Sequence, residues 1–255
     1  GVPHEAEWSG VFDSTVDGRG LNFPSGSWGS CISGQPFQQE ALTSFNGCQY
    51  AAYFAEGGVL CLGRRRLARG EWETIRFEDY RMAPHNDVHN VAVVGICEAD
   101  GTVHLSFDHH VNTLNYRVSI PSVALEPERF SWIAELFGPI TSELSRGRVL
   151  EAITYPGFLS TPRGGLQFIH RTGCSGNGDW HLSEYEPGKG WCELGVLFSG
   201  AGTFEHCPTR CAYPDPLRYG PAGRLHVTWC WREHPSDRPL DLMTNHDLGY
   251  AYSDD

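Results

Sequence analysis

The chain has 255 residues, 40% of them apolar, which allows a sizeable core in one large domain or two small ones. A formal charge of −12, from 19 basic and 31 acidic side chains, argues against non-specific nucleic-acid binding. It also disfavours long-range attraction of a polyanion, so an acidic substrate would need local arginines. No apolar run is long enough to cross a membrane, and the N-terminal Gly1-Val2-Pro3-His4-Glu5 is too polar for a signal peptide. A mature secreted protein would look the same at this end.

Thirty glycines, sixteen prolines and eight tryptophans suit many short strands joined by tight turns. The first thirty-odd residues, with Trp8, Val11, Phe12 and Trp28, read as a closing strand or partial blade. Residues 50–54, a turn at Glu56-Gly57-Gly58 and residues 59–64 form the first hairpin, followed by a strand over 72–77. Arg64-Arg65-Arg66 with Arg69 is the only basic cluster and reads as a solvated strand end. The second hairpin runs through 89–96 and 103–109 about Asp100-Gly101, a strong hairpin signal between apolar runs. A strand over 114–120 follows. The best helical candidate, 131–144, has only weak apolar spacing. The third hairpin runs through 155–159, Pro162-Arg163-Gly164-Gly165 and 166–171, followed by strands over 180–185 and 191–198. The fourth joins Ala212-Tyr213 to 225–231 through Gly220-Pro221-Ala222-Gly223, with a last strand over 248–252. Three or four antiparallel strands per unit, recurring about every 40 to 65 residues, predict an all-β fold, a β-propeller of four-stranded blades.

In a propeller the first strand of each blade lines the axis, so the open ends of the first hairpins converge on one face. Folding about Asp100-Gly101 places His89 close to His109, while alternation turns His110 to the opposite side as a structural residue. Folding about Gly164-Gly165 places Tyr155 beside Arg171. Pro156 predicts an extended backbone at Tyr155. Arg210, Tyr213, Trp231 and Arg232 occupy the equivalent ends of the fourth hairpin and suit sugar contacts by stacking and charge, as does Asn90 beside His89.

These residue types fit β-elimination at a uronic acid. The C5 proton of such a sugar is α to a carboxylate. Removing it requires a counter-charge for the carboxylate, a base for the proton and an acid for the departing glycosidic oxygen. Arginine supplies a planar two-pronged contact, histidine a base of near-neutral pKa, and tyrosine a phenolic proton. A well-placed acid or base contributes roughly 10²–10⁴-fold each.

Five segments carry a resemblance: His-Asn-Asp-Val-His-Asn-Val (85–91), Asp-Gly-Thr-Val-His-Leu-Ser-Phe-Asp-His-His (100–110), Ile-Thr-Tyr-Pro (153–156), Ser-Gly-Asn-Gly-Asp-Trp (175–180) and His-Asp-Leu-Gly-Tyr-Ala-Tyr-Ser-Asp-Asp (246–255). Together they resemble the BNR-4 type propellers, a group that includes ulvan lyases, fungal rhamnose–glucuronate lyases and a propeller α-L-rhamnosidase. The resemblance covers nearly the whole chain after about residue 45. It implies His89 as base, Tyr155 as acid, Arg171 as carboxylate neutraliser, and His109 as a positioning or second catalytic histidine. It also implies a uronate-containing polysaccharide as partner, secretion, and seven blades. On that count residues 1–255 are one propeller domain, incomplete at its C-terminus, with the remaining blades either missing or present as a separate chain or fragment. The terminal Ser253-Asp254-Asp255, which begins an Asp-box turn and stops before its glycine and tryptophan, agrees. The chemistry requires no cofactor; some members of the group carry a calcium ion near the axis, which would be structural here, but no sequence signature for one is found.

Other readings stay open. Arg171 would also serve as a blade cap paired with Asp179 or Glu151. A glycoside hydrolase on the same propeller would need two carboxylates, for which Asp87, Asp108 and Asp179 are the candidates, unless it used a single histidine. A non-catalytic sugar-binding propeller would keep the aromatics and arginines. His85 and His89 have the spacing of a zinc pair but lack the intervening Glu and a helix. Cys207 and Cys211 are too few for a zinc site. Nine cysteines, at irregular spacings, leave at least one unpaired; Cys97 and Cys230 sit in apolar strands as buried thiols. Cysteine usage does not decide the compartment.

Overall fold

A computed structural model describes residues 13–22, 40–83, 87–204, 207–233 and 245–254. The expectations for Trp8, Val11, Phe12, Trp28, His85 and Asp255 lie outside these. The first sheet consists of β1 (Leu42–Phe45), β2 (Cys48–Ala55), β3 (Val59–Arg66) and β4 (Glu73–Arg81) in that order. The second consists of β5 (Ala92–Cys97), β6 (Thr102–Phe107) and β8 (Tyr116–Val118), while β7 (His110–Asn112) leaves for the next blade. The third has the order β12-β11-β10-β9-β7, where β9 is Ile153–Ser160, β10 Leu166–Arg171, β11 Trp180–Glu186 and β12 Gly190–Phe198. The fourth contains β13 (Ala201–Phe204), β14 (Cys207–Pro214), β15 (Arg218–Tyr219), β16 (Leu225–Glu233) and β17 (Asn245–Ser253), with β15 and β17 both pairing β16. All pairings are antiparallel.

The hairpins form where turn chemistry and apolar runs coincide. At the β5–β6 turn, Asp100 Oδ1 accepts the Thr102 N–H at 3.0 Å and Gly101 takes φ +71°. Segment 131–144 is not helical, apart from a single 3-10 turn at Ala134–Leu136. Gly138-Pro139 interrupts any helix. The segment runs along the edge of β8 instead: Tyr116 and Thr141 exchange N–H···O bonds of 3.0 and 2.8 Å, and the Gly138 N–H donates to Val118 O at 2.9 Å. It thereby supplies the missing fourth strand of the second blade and buries Trp132, Leu136 and Phe137.

The basic cluster is only partly solvated. Arg64 is buried, with its guanidinium 4.5 Å from the Trp132 ring and bonded to Glu73, whereas Arg66 is exposed. Cys97 is buried as expected; Cys230 is half-buried. Cys48, Cys61, Cys97, Cys174, Cys192, Cys211 and Cys230 are free thiols.

One apolar core runs through the first three blades, with Tyr50, Phe54, Val93, Ile96, Leu105, Phe107, Phe158 and Phe168 at its centre. A smaller core of Trp180, Phe198, Ala212, Leu217 and Val227 joins the third blade to the fourth. Strand β5 packs between β2 and β9. At Gly95 the approach is so close that a Cβ would stand 2.4 Å from Phe158 Cβ. Gly95→Ala is therefore expected to cost about 1–3 kcal/mol by overpacking, read as a lower thermal midpoint; an unchanged midpoint would mean that β5 and β9 can separate freely. Among the described residues no helix is long and apolar enough to cross a membrane.

Candidate active site

His89 closes the loop before β5, and Asp87 shapes that loop. Asp87 Oδ1 accepts the His89 backbone N–H at 3.0 Å and lies 2.5 Å from His89 Nδ1. The other carboxylate oxygen is hydrogen-bonded to His110 Nδ1. The two imidazoles stack with centroids 4.1 Å apart and planes at 22°. The imidazole that meets His89 is thus His110, not His109.

Backbone geometry explains this correction. Strand β6 ends at Phe107, and Asp108 takes φ +65°, which resets the side-to-side alternation. His110 then crosses to the third blade and pairs with Thr154 of β9. His109 turns into the protein, fully buried, with its ring nitrogens near Ser106 Oγ (3.1 Å) and Asn112 Oδ1 (3.3 Å). Burial pushes its pKa down to about 4, against its hydrogen bonds to Asn112 and Asn115, so it is a neutral structural histidine.

Tyr155 lies on the seam between the two cores. Its ring is 5.6 Å from that of His89, parallel to Trp180 at 6.0 Å, and 6.1 Å from Tyr213. Its backbone is left-handed, φ +55°, rather than the extended one Pro156 predicts. A bulge between Ile169 and Arg171 opposes Tyr155, and the surrounding packing holds the strained conformation. Arg171 is 2% exposed and sits behind Tyr155, its guanidinium carbon 4.8 Å from the ring. Its Nη1–H donates to the Tyr213 hydroxyl at 3.4 Å, and the Tyr213 O–H donates to Ser175 Oγ at 3.0 Å. Among the described residues no carboxylate pairs with Arg171, so the Asp179 or Glu151 cap does not form; Asp179 Oδ1 accepts the Gly200 N–H instead.

His89, Tyr155, Trp180, Tyr213, Glu40 and the turn 214–217 line one cleft of about 350 Å³. Other expected sugar contacts lie off it. Asn90 is buried, its Nδ2–H donating to Asp108 Oδ1 at 2.7 Å. Arg210 stacks on Trp231 at 3.7 Å, and Arg232 stands 5.7 Å from the Tyr213 ring, so these form a cationic and aromatic flank beyond Tyr213. Sequence reasoning missed Glu40 and Trp180 as cleft residues and His110 as a site residue, and weighed Asp87 only as a carboxylate for hydrolysis. Of these, Asp87 carried a local signal, an acid two residues before a histidine.

Electrostatics suit proton transfer. Burial lowers the His89 pKa, opposed by its hydrogen bond to Asp87. Burial works against the Asp87 charge, but hydrogen bonds from His89 and His110 outweigh it and hold the carboxyl below its usual range. Burial and the neighbouring Tyr213 raise the Tyr155 phenol, against the opposing pull of Arg171, and keep it protonated. Burial raises Glu40, against Arg218. Asp87, His89 and His110 are the one trio of metal-type donors among the described residues, with donor atoms within 4.8 Å of one another. The 2.5 Å from Asp87 Oδ1 to His89 Nδ1 is a hydrogen-bond separation. Two atoms each about 2.1 Å from one cation would stand roughly 3 Å apart.

The model of a BNR repeat-containing family matches residues 48–255. Among solved structures, the chain is similar to the crystal structure of polysaccharide lyase Uly1, with TM-score 0.75 and 20% identity over 95% of this chain and 56% of that one. It is also similar to a PL25 ulvan lyase, with TM-score 0.55 and 12% identity over 77% and 46% of the two chains, and equally to the same enzyme bound to -[GlcA(1-4)Rha3S]-. No curated protein matches the chain in sequence. At these identities the likeness establishes the fold, a β-propeller of antiparallel blades. The chain spans about half the length of the structures it matches.

Proposed function

This chain belongs to the BNR-4 family of BNR repeat-containing proteins, and on that premise we propose that it is a polysaccharide lyase cleaving beside a uronic acid by β-elimination. One observation supports the reading: an imidazole and a phenol from two different blades line one cleft, with a guanidinium buried directly behind the phenol, His89 5.6 Å and Arg171 4.8 Å from the Tyr155 ring. His89 takes the C5 proton. The C5–H electron pair forms the C4=C5 bond, the C4–O bond breaks, and Tyr155 protonates the departing oxygen. Solvent then returns the proton from His89 to Tyr155. Arg171, a buried cation without a carboxylate partner among the described residues, takes the substrate carboxylate as its counter-charge. His110, rather than His109, is the second histidine of the site.

The substrate class is a polymer of glucuronate with rhamnose attached, the unit bound by the similar PL25 enzyme, and the site of action is outside the cell. No cofactor enters the chemistry, since base, acid and counter-charge are all side chains; a calcium ion would have only a structural part. The domain is part of a larger propeller. Leu248, Tyr250 and Tyr252 on β17 are all more than half exposed, which suits coverage by further blades or a second chain.

The test is incubation with a panel of uronate polysaccharides while following ultraviolet absorbance from the new C4=C5 bond. Saturated products would instead mean hydrolysis, and binding without products would mean a lectin. The pH profile follows from the site. The base must be neutral and the acid protonated, and the His89 pKa lies below 6.5 while that of Tyr155 lies above 10. The expected kcat/KM rises through an acid limb below pH 6.5 and stays level to above pH 10. An acid limb above pH 7 would remove His89 as the base.

A further inference from the structure

The Asp87 carboxylate has two oxygens and two imidazole partners, one local and one distant in the chain. Oδ1 serves His89 through both its backbone N–H (3.0 Å) and its Nδ1 (2.5 Å). Oδ2 serves Nδ1 of His110, 23 residues away. The depressed carboxyl remains an acceptor at neutral pH, so each Nδ1 must carry the proton it shares with Asp87. In a neutral imidazole this places the lone pair on Nε2. We infer that Asp87 is a positioning residue that holds His89 and His110 in the same Nδ1–H tautomer, stacks their rings, and makes the pair a single proton-accepting unit. This role rests on the lyase reading for its catalytic consequence, though not for its structural one.

The carboxylate bridges the Nδ1 edges of two stacked rings whose centroids are 4.1 Å apart. When His89 gains the substrate proton, the Asp87 carboxylate bonded to its Nδ1 stabilises the imidazolium.

The two oxygens are not equivalent, and that gives a specific test. In Asp87→Asn the amide oxygen remains on the side of the His89 backbone N–H, where an acceptor is needed. The amide NH₂ then faces His110 Nδ1, which must become the acceptor and move its proton to Nε2. Long-range nitrogen–proton correlation spectra of ¹⁵N-histidine-labelled protein read the tautomers directly, with the two rings assigned from His89→Gln and His110→Gln. The wild type is expected to show Nδ1–H at both rings. Asp87→Asn is expected to show Nδ1–H at His89 and Nε2–H at His110. Nε2–H at either ring of the wild type, or unchanged tautomers in Asp87→Asn, would overturn the inference. Because the wild-type spectrum alone decides the first point, a variant that fails to fold leaves the inference testable.

On a uronate polymer cleaved by the wild type, kcat of Asp87→Asn is expected to fall roughly 10²–10⁴-fold, the scale of losing a carboxylate that orients a catalytic histidine, with KM little changed. A matching loss in KM with kcat retained would make Asp87 a substrate contact and overturn the positioning role. Should no uronate polymer be cleaved at all, the lyase reading fails while the tautomer spectra still decide the role of Asp87.

Discussion

His89→Ala and Tyr155→Phe are each expected to lower turnover of a uronate polymer roughly 10²–10⁴-fold, with folding intact. Tyr155→Phe is the cleaner change, since it deletes one oxygen and leaves the ring stacked parallel to Trp180 and facing the Arg171 guanidinium. The loss then reports the proton given to the departing oxygen. His89→Ala removes the proposed base but leaves Asp87 bonded to His110, so the loop before β5 keeps a tether to β7. The two side chains act on the same elimination, so their effects should not add; the double variant should fall little below the worse single one. Initial rates from the unsaturated product, beside circular dichroism of each variant, provide the measurement. Near-normal rates in either variant would strip that residue of its assigned role.

Arg171→Gln carries the second large expected effect. The guanidinium is almost fully buried and meets no carboxylate among the described residues. An anion brought to it gains a charge-assisted contact in a site with little water. Removing one partner of such a pair costs about 2–5 kcal/mol, or roughly thirty-fold to several thousand-fold in kcat/KM. Arg171→Lys should not restore the rate, because an ammonium lacks the planar fork. A polymer whose uronates are methyl esters separates charge from packing. It needs no counter-charge, so wild type and Arg171→Gln should cleave it at rates within a few-fold of each other. An equally large deficit on the ester would show that Arg171 acts by supporting Tyr155 and Tyr213.

The hairpins were legible in the sequence because each is a local event. Asp100-Gly101, Glu56-Gly57-Gly58 and Gly164-Gly165 mark turns whose chemistry needs no distant partner, and the strands begin and end within a few residues of their apolar runs. Tyr155 and Arg171 could be placed together for the same reason: they are the ends of one hairpin. The choice between His109 and His110 was not legible. A period of two assigns sides only while the strand stays regular, and the positive φ at Asp108 ends that regularity one residue before the pair. Segment 131–144 misleads in a similar way. Its apolar residues are those of a core, but Gly138-Pro139 and the open edge of β8 decide that they reach it in an irregular strand.

By itself, the sequence determined the all-β class, the repeat of antiparallel blades, and the supply of phenol, imidazole and guanidinium at the hairpin ends, because alternation and turn residues act over a few positions. Only the tertiary structure decided which histidine stands next to His89, that Asp87 ties the two together, that Tyr155 is held in a left-handed backbone, and that Arg171 reaches the Tyr213 hydroxyl of the next blade. These depend on how separate blades pack against one another, and the contacts that fix that packing join residues far apart in the chain.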